Sequence, residues 1–339
     1  MKILEFEHKS AAHCENGVIS NMLRFYGFDI SEPMIFGLSG GLFFGHMPFV
    51  KVSGLAFNTF RTFSGLLFKR VTHTLGFKVK TRHIFLKKES AMQKLDEVLN
   101  SGVPVGCVVG LYYLPYMPQE YRYHFTGHNL CVIGKDEQGI YHISDPNIKE
   151  ILTISKKDLI KSRFAKGGAF PLRGQMYWIE SAPDKLPDLT PLIRKAIKHN
   201  CWMMTSQPKW LPYFGVNAIY YLSKKIRNWE QKMGKRKAIL NLAQVIRMLE
   251  EVGTGGAGFR YIYAAFLQQA AAVTGITELN VFSQRMTEIG DLWRDFAYKG
   301  ARILKERQGE NYTYDDLGDA LYHIAELEES FFKEIKTLV

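Results

Sequence analysis

Three side chains far apart in the sequence have the types that a thiol nucleophile requires: Cys14, His128 and Asp145. In such a set the sulfur attacks as a thiolate, a histidine takes its proton, and a carboxylate orients the imidazole. His13-Cys14 lies where a loop runs into an amphipathic helix with Val18, Ile19, Met22, Leu23 and Tyr26 on one face, ending near Gly27. The unpaired N–H groups and positive dipole end at a helix N-terminus favour thiolate over thiol and can hold an oxyanion. A small buried hydrophobe is the competing reading of Cys14.

The partners are read from a hairpin. His128 to Ile133 and Ile140 to Ser144 have strand character and flank Lys135-Asp-Glu-Gln-Gly139, a turn containing glycine. Pairing Lys135 with Ile140 sets Leu130 opposite Asp145, and alternation then puts His128 and Asp145 on one face as diagonal neighbours. A bulge or a one-residue shift undoes that arrangement. Two plainer roles stay open, a core histidine for His128 and a turn-former for Asp145, which precedes Pro146. His124, His128 and Cys131 are spaced like partial zinc ligands, but residues three apart on a strand face opposite sides, which turns Cys131 away.

The elements around these residues fall into two parts. Up to about residue 180, helices mix with short strands: a helix over 88–100, a buried strand over 104–110, the hairpin, and a strand over 175–179. The segment from Ser181 to Pro191 holds three prolines without periodicity and reads as a linker. Beyond it helices are expected over 189–204, 213–233, 237–251, 259–273, 277–307 and 313–337. A chain of 339 residues with 46% hydrophobic content suits two cores, placed at 1–182 and 188–339.

Composition narrows the function classes. The N-terminal residues carry no signal-peptide pattern, and the apolar stretch from Met34 to Phe63 is broken by glycines, His46, Lys51 and Arg61, against a membrane span. Four cysteines in so long a chain make no disulfide framework, and a reducing cytoplasm is the expected compartment. Of the formal charge of +11, the stretch from Lys185 to Lys237 supplies +10. That stretch, with Lys224, Lys225 and Arg227, implies an acidic partner or a solvated helix face. No nucleic-acid-binding motif accompanies it, so no nucleic acid is expected.

Two glycine-rich segments are further candidates. Gly40 and Gly41, within Ser39-Gly-Gly-Leu-Phe-Phe-Gly45, would let backbone approach an acyl chain among aromatic rings, or simply form a buried turn. Gly253-Thr-Gly-Gly-Ala-Gly258, followed by Phe259-Arg260, opens a helix. There Gly255, Gly256 and Arg260 could hold an anion such as a phosphate, unless the glycines serve packing between helices. It is no P-loop, because the Lys-Ser/Thr is absent.

His13-Cys14-Glu15, the segment from Ser31 to Phe44, Gly127-His-Asn-Leu-Cys-Val-Ile-Gly134 and Ile143-Ser-Asp-Pro146 together resemble the butirosin biosynthesis protein H family. They are similar also to papain-like bacteriocin-processing peptidases. Gly253 to Arg260 resembles the glycine-rich signature of the helical domain that often follows. The resemblance implies an α+β papain-like domain followed by an all-α domain. It also implies acyl transfer from a carrier-protein thioester to an amine or hydroxyl, with Cys14 as nucleophile, His128 as base and Asp145 as orienter. His8, six residues before Cys14, stands where related peptidases carry an oxyanion-hole glutamine, and an imidazole N–H can donate as an amide does. The expected partner is an acidic acyl carrier protein, and no metal or nucleotide cofactor is needed. A peptidase or amidase on the same triad is the alternative, and a non-catalytic carrier-binding module a third.

Overall fold

The computed structural model describes residues 3–52, 54–119, 122–168, 171–208, 210–305 and 312–339. Along the chain run α1 (Cys14–Phe25), α2 (Glu32–Leu38), β1 (Leu42–Val52), β2 (Leu55–Arg61), α3 (Leu66–Thr74), β3 (Lys78–Arg82), α4 (Lys88–Asn100) and β4 (Val105–Val109). There follow β5 (His128–Lys135), β6 (Tyr141–Ser144), β7 (Leu152–Ile154), α5 (Lys156–Arg163) and β8 (Met176–Ser181). The helical part comprises α6 (Leu189–Thr205), α7 (Gly215–Ile226), α8 (Trp229–Met233), α9 (Lys235–Ile246), α10 (Arg260–Thr274), α11 (Leu279–Leu304) and α12 (Tyr314–Leu338).

These elements form two compact units, one of residues 1–35 and 64–187, the other of residues 36–63 and 188–339. The first is α+β. Its sheet has the order β3-β8-β4-β5-β6-β7, every pair antiparallel. β4, and β5 as far as Gly134, are unbroken buried runs because both sheet faces are covered. One face carries Leu130 and Val132 into a core with Met92, Leu95 and Leu99 of α4, while α1 also packs on β5. A helix that starts at a cysteine and lies on an antiparallel sheet carrying a histidine gives this unit the α+β character expected of it.

The local chemistry at the start of α1 explains why the helix begins at Cys14. His13 Nδ1 accepts the Asn16 N–H at 3.4 Å, serving as a side-chain cap. The Glu32 carboxylate accepts the N–H groups of Ala12 and His13 at 3.0 and 2.7 Å, which ties down the preceding loop. At the other end Gly27 adopts φ +87°, a left-handed conformation that stops a helix and suits glycine.

The second unit departs from the expected boundaries. It takes in the β1–β2 hairpin, so it is neither wholly helical nor confined to 188–339. The cause is aromatic packing: Phe44 and Phe60 sit against Trp293 at ring separations of 5.6 and 5.4 Å, and Phe36 stacks on Phe259 at 5.1 Å. The helix expected over 213–233 is two, α7 and α8. Gly234, at φ +80°, then turns the chain into α9, which gives way to a π turn over Arg247–Glu251. No helix among the described residues is long and apolar enough to cross a membrane.

Candidate active site

Cys14 is the first residue of α1, His128 the first of β5, and Asp145 follows the last residue of β6. The hairpin register differs from the expectation at its turn and agrees with it at the site. Lys135 pairs with Tyr141 rather than Ile140, because Asp136 and Ile140 close the turn with a backbone bond of 3.0 Å. A bulge between Val132 and Gly134 absorbs the difference, so Cys131 pairs with Ser144 and the next position sets Leu130 opposite Asp145. A shift that alone would have turned Asp145 to the other face is thereby cancelled.

The side chains meet in the interior. His128 Nε2 lies 2.7 Å from Asp145 Oδ2, which also accepts the Tyr116 hydroxyl at 2.8 Å, while Asp145 Oδ1 accepts the Asn147 N–H at 3.1 Å. His128, Asp145 and Cys14 are all buried. Burial disfavours the imidazolium, but the Asp145 charge and hydrogen bond, together with the interacting Cys14 sulfur, outweigh it and raise the His128 pKa. Burial likewise pushes the Asp145 carboxyl up, yet His128, the Asn147 N–H and the Tyr116 hydroxyl hold it below the usual carboxylate range. With Nε2 donating to Asp145, Nδ1 is the ring nitrogen left for the thiol, which is the tautomer a general base needs.

Gly17 makes this closeness feasible. A Cβ there would stand 2.5 Å from the Pro146 Cβ and 2.6 Å from that of Ala11, so the Asp145-Pro146 loop reaches α1 only over a glycine. The Ala11 N–H donates to the Pro146 carbonyl at 2.9 Å and closes the same contact.

His8 does not take the oxyanion role expected of it. Its Nε2 donates to the Ile148 carbonyl at 2.9 Å, so its Nδ1 accepts the Ser144 hydroxyl at 2.7 Å. With both ring nitrogens engaged, the imidazole fastens the N-terminal segment to the sheet. Sequence reasoning missed three polar neighbours of the site: Tyr116, which donates to Asp145, and Asn129 with Tyr177. Asn129 carried a legible signal, since an amide at the head of the apolar run Leu130-Cys-Val-Ile133, on the same buried strand, needs partners there.

The other candidates are packing residues. Gly40, at φ +63°, faces His199, with an added Cβ 2.5 Å from that ring; one on Gly41 would be 2.4 Å from the Phe36 ring. In the 253–258 loop Gly255 and Gly256 have φ +66° and +88°. The Gly256 and Ala257 N–H groups donate to Thr254 Oγ1 and the Glu250 carboxylate at 3.0 and 3.2 Å. Arg260 is wholly buried and gives Nε and one terminal nitrogen to Glu328 at 2.9 and 3.0 Å, the other to the Gly258 carbonyl at 2.8 Å. A loop whose amides meet a carboxylate and whose arginine is paired inside the core does not hold a phosphate, contrary to the expectation for these residues. The described residues contain no cluster of three or more His, Cys, Asp or Glu suited to a metal.

Residues 13–146 match the family described as Butirosin biosynthesis protein H, N-terminal, in agreement with the resemblance read from the motifs. A crystal structure described as that of a C39-like peptidase from Bacillus anthracis matches 54% of this chain and 100% of its own. The identity is 13% and the TM-score 0.37. Curated proteins give no match. Residues 157–335, more than half of the chain, match a second family model. The chain therefore belongs to the family described as Domain of unknown function (DUF4872), and the residues before that region match the model of the butirosin biosynthesis protein H N-terminal family.

Proposed function

We propose that this chain is a papain-like cysteine acyltransferase that moves an acyl group from a carrier-protein thioester to an amine or hydroxyl acceptor through an acyl-Cys14 intermediate. The observation that carries the reading is the buried His128–Asp145 bond of 2.7 Å beside a thiol at a helix N-terminus. The match of residues 13–146 to the butirosin biosynthesis protein H family favours transfer over hydrolysis.

In the proposed cycle the Cys14 S–H bond breaks, the proton passes to His128 Nδ1, and the sulfur pair attacks the thioester carbonyl. The oxyanion is met by N–H groups at the start of α1. As the C–S bond to the donor breaks, His128 returns its proton to the leaving thiolate. The acceptor then loses a proton to His128, attacks the acyl carbon and frees the Cys14 sulfur, which takes the proton back. Asp145 keeps the imidazole oriented throughout.

The basic stretch is the proposed docking face for an acidic carrier protein. Lys224, Lys225 and Lys232 are exposed. Arg227 does not belong to that face, because it pairs with Asp315 and Asp319 at 3.4 and 2.6 Å.

The test is an intact-mass search for acylated Cys14 with an N-acetylcysteamine thioester and a carrier-bound one, followed by amine or water alone. Acyl-enzyme that amine resolves faster than water is the expected result, and Cys14→Ala should form none. Prompt hydrolysis with no amine product would establish the peptidase or amidase reading instead; no acyl-enzyme from either donor would overturn both. Charge reversal at Lys224, Lys225 and Lys232 should slow only the carrier-bound donor, and less so as salt rises.

A further inference from the structure

Asn129 is a buried amide, and its hydrogen bonds fix which way it points. Nδ2 donates to the Gly127 carbonyl at 3.1 Å; a carbonyl only accepts, so the nitrogen is assigned and Oδ1 must accept from the Tyr177 hydroxyl at 3.0 Å. The second N–H of Nδ2 reaches the Cys14 sulfur, with the nitrogen 4.0 Å away.

The sheet is built to allow this. Tyr177 lies on β8 and Asn129 on β5, with β4 between them. Gly106 of β4 pairs with Tyr177 on one side and with Cys131 on the other. A Cβ on Gly106 would fall 2.1 Å from the Tyr177 ring, so the tyrosine crosses β4 over a position that has no side chain. Phe68 of α3 backs the same ring at a centroid separation of 4.5 Å. Burial holds the Tyr177 hydroxyl protonated, with the neighbouring Glu15 carboxylate acting in the same direction, and so keeps it a donor.

We propose that Asn129, oriented by Tyr177, donates a hydrogen bond to the Cys14 sulfur and steadies the thiolate once its proton has passed to His128. His128 takes the proton; Asn129 stabilises the electron pair left behind. The assignment rests on Cys14 being the nucleophile. It adds to that role a donor on the opposite side of β5 from the face that carries Leu130.

The measurement is the rate of Cys14 alkylation by iodoacetamide, followed by mass spectrometry from pH 5 to 10, in wild type, Asn129→Leu, Tyr177→Phe and His128→Ala. Loss of a donor to a charged acceptor should slow Asn129→Leu about tenfold at pH 7. The deficit should close by pH 10, where the thiolate forms without help. Tyr177→Phe, which frees the amide without removing it, should lose about threefold at pH 7 and recover in the same way. Wild-type rates at pH 7 in both variants would overturn the proposal. So would a deficit in Asn129→Leu that persists to pH 10 while Tyr177→Phe stays at the wild-type rate, because that pattern belongs to packing. If wild type itself reacts no faster than His128→Ala, the nucleophile reading fails and this proposal with it.

Discussion

Replacing Asp145 by asparagine keeps the size of a wholly buried side chain and removes its charge. In the native protein that charge sits 2.7 Å from His128 Nε2 and opposes the burial that disfavours an imidazolium. Without it burial wins, and the proton cannot leave Cys14 for His128 as readily. The tautomer changes as well: the asparagine NH2 can donate to Nε2, which places the ring hydrogen on Nδ1, facing the thiol it should accept from. A hydrogen bond to a charged group contributes about 1.5 to 3 kcal/mol. At about 1.4 kcal/mol per factor of ten, the Cys14 alkylation rate near pH 6.5 should fall between about tenfold and about 150-fold. Brief iodoacetamide treatment with mass spectrometry measures it. All four cysteines are buried, but the label in wild type should be confined to Cys14, which interacts with His128, since burial pushes the Cys107, Cys131 and Cys201 thiols up. A loss smaller than threefold in a variant with unchanged thermal stability would refute the coupling of Asp145 to the thiol through His128.

The same pair sets a pH window. Because the Asp145 pKa is lowered, its contribution to stability is present above the unfolded value near 3.8 and is lost as pH falls through the folded one. Because the His128 pKa is raised, its contribution is complete below about 6.5 and is lost as pH rises through the folded one. The melting temperatures of wild type and Asp145→Asn should therefore differ most between about pH 4 and 6.5 and converge in acid, as calorimetry can show. Gly17→Ala should cost about 1 to 3 kcal/mol in denaturant titration, because its methyl meets Pro146, and should slow Cys14 alkylation as the Asp145 loop withdraws. Arg260→Met strands the buried Glu328 carboxylate and should cost about 3 to 5 kcal/mol, whereas Arg260→Met with Glu328→Met should recover most of that loss. A stable single variant that is defective only toward phosphopantetheine-bearing donors would restore Arg260 to a phosphate role.

Much of the site was legible because its logic is local. A histidine and cysteine before an apolar 3.6-residue pattern specify a thiol at a helix start, and α1 begins there. The apolar run from His128 and the glycine-closed turn specify a hairpin whose period of two carries His128 toward Asp145. α4 occupies 88–100 as its spacing predicted. These features follow from backbone periodicity and capping, which neighbouring residues decide.

What only the tertiary structure decided depends on residues distant in sequence. The bulge at Ile133 corrects the hairpin register, and no short-range pattern announces it. His8 has the chemistry of an oxyanion donor, but Ser144 and Ile148, more than a hundred residues away, take both its nitrogens. Arg260 follows a loop that reads as an anion site, yet Glu328 and Trp293 draw its side chain into the core, since a buried guanidinium must be paired. The β1–β2 hairpin leaves the α+β part of the chain because the Trp293 ring, against which Phe44 and Phe60 both pack, lies in the helical part. Periodicity states which residues must be buried; what each is buried against is settled by packing and polar pairing across the whole chain.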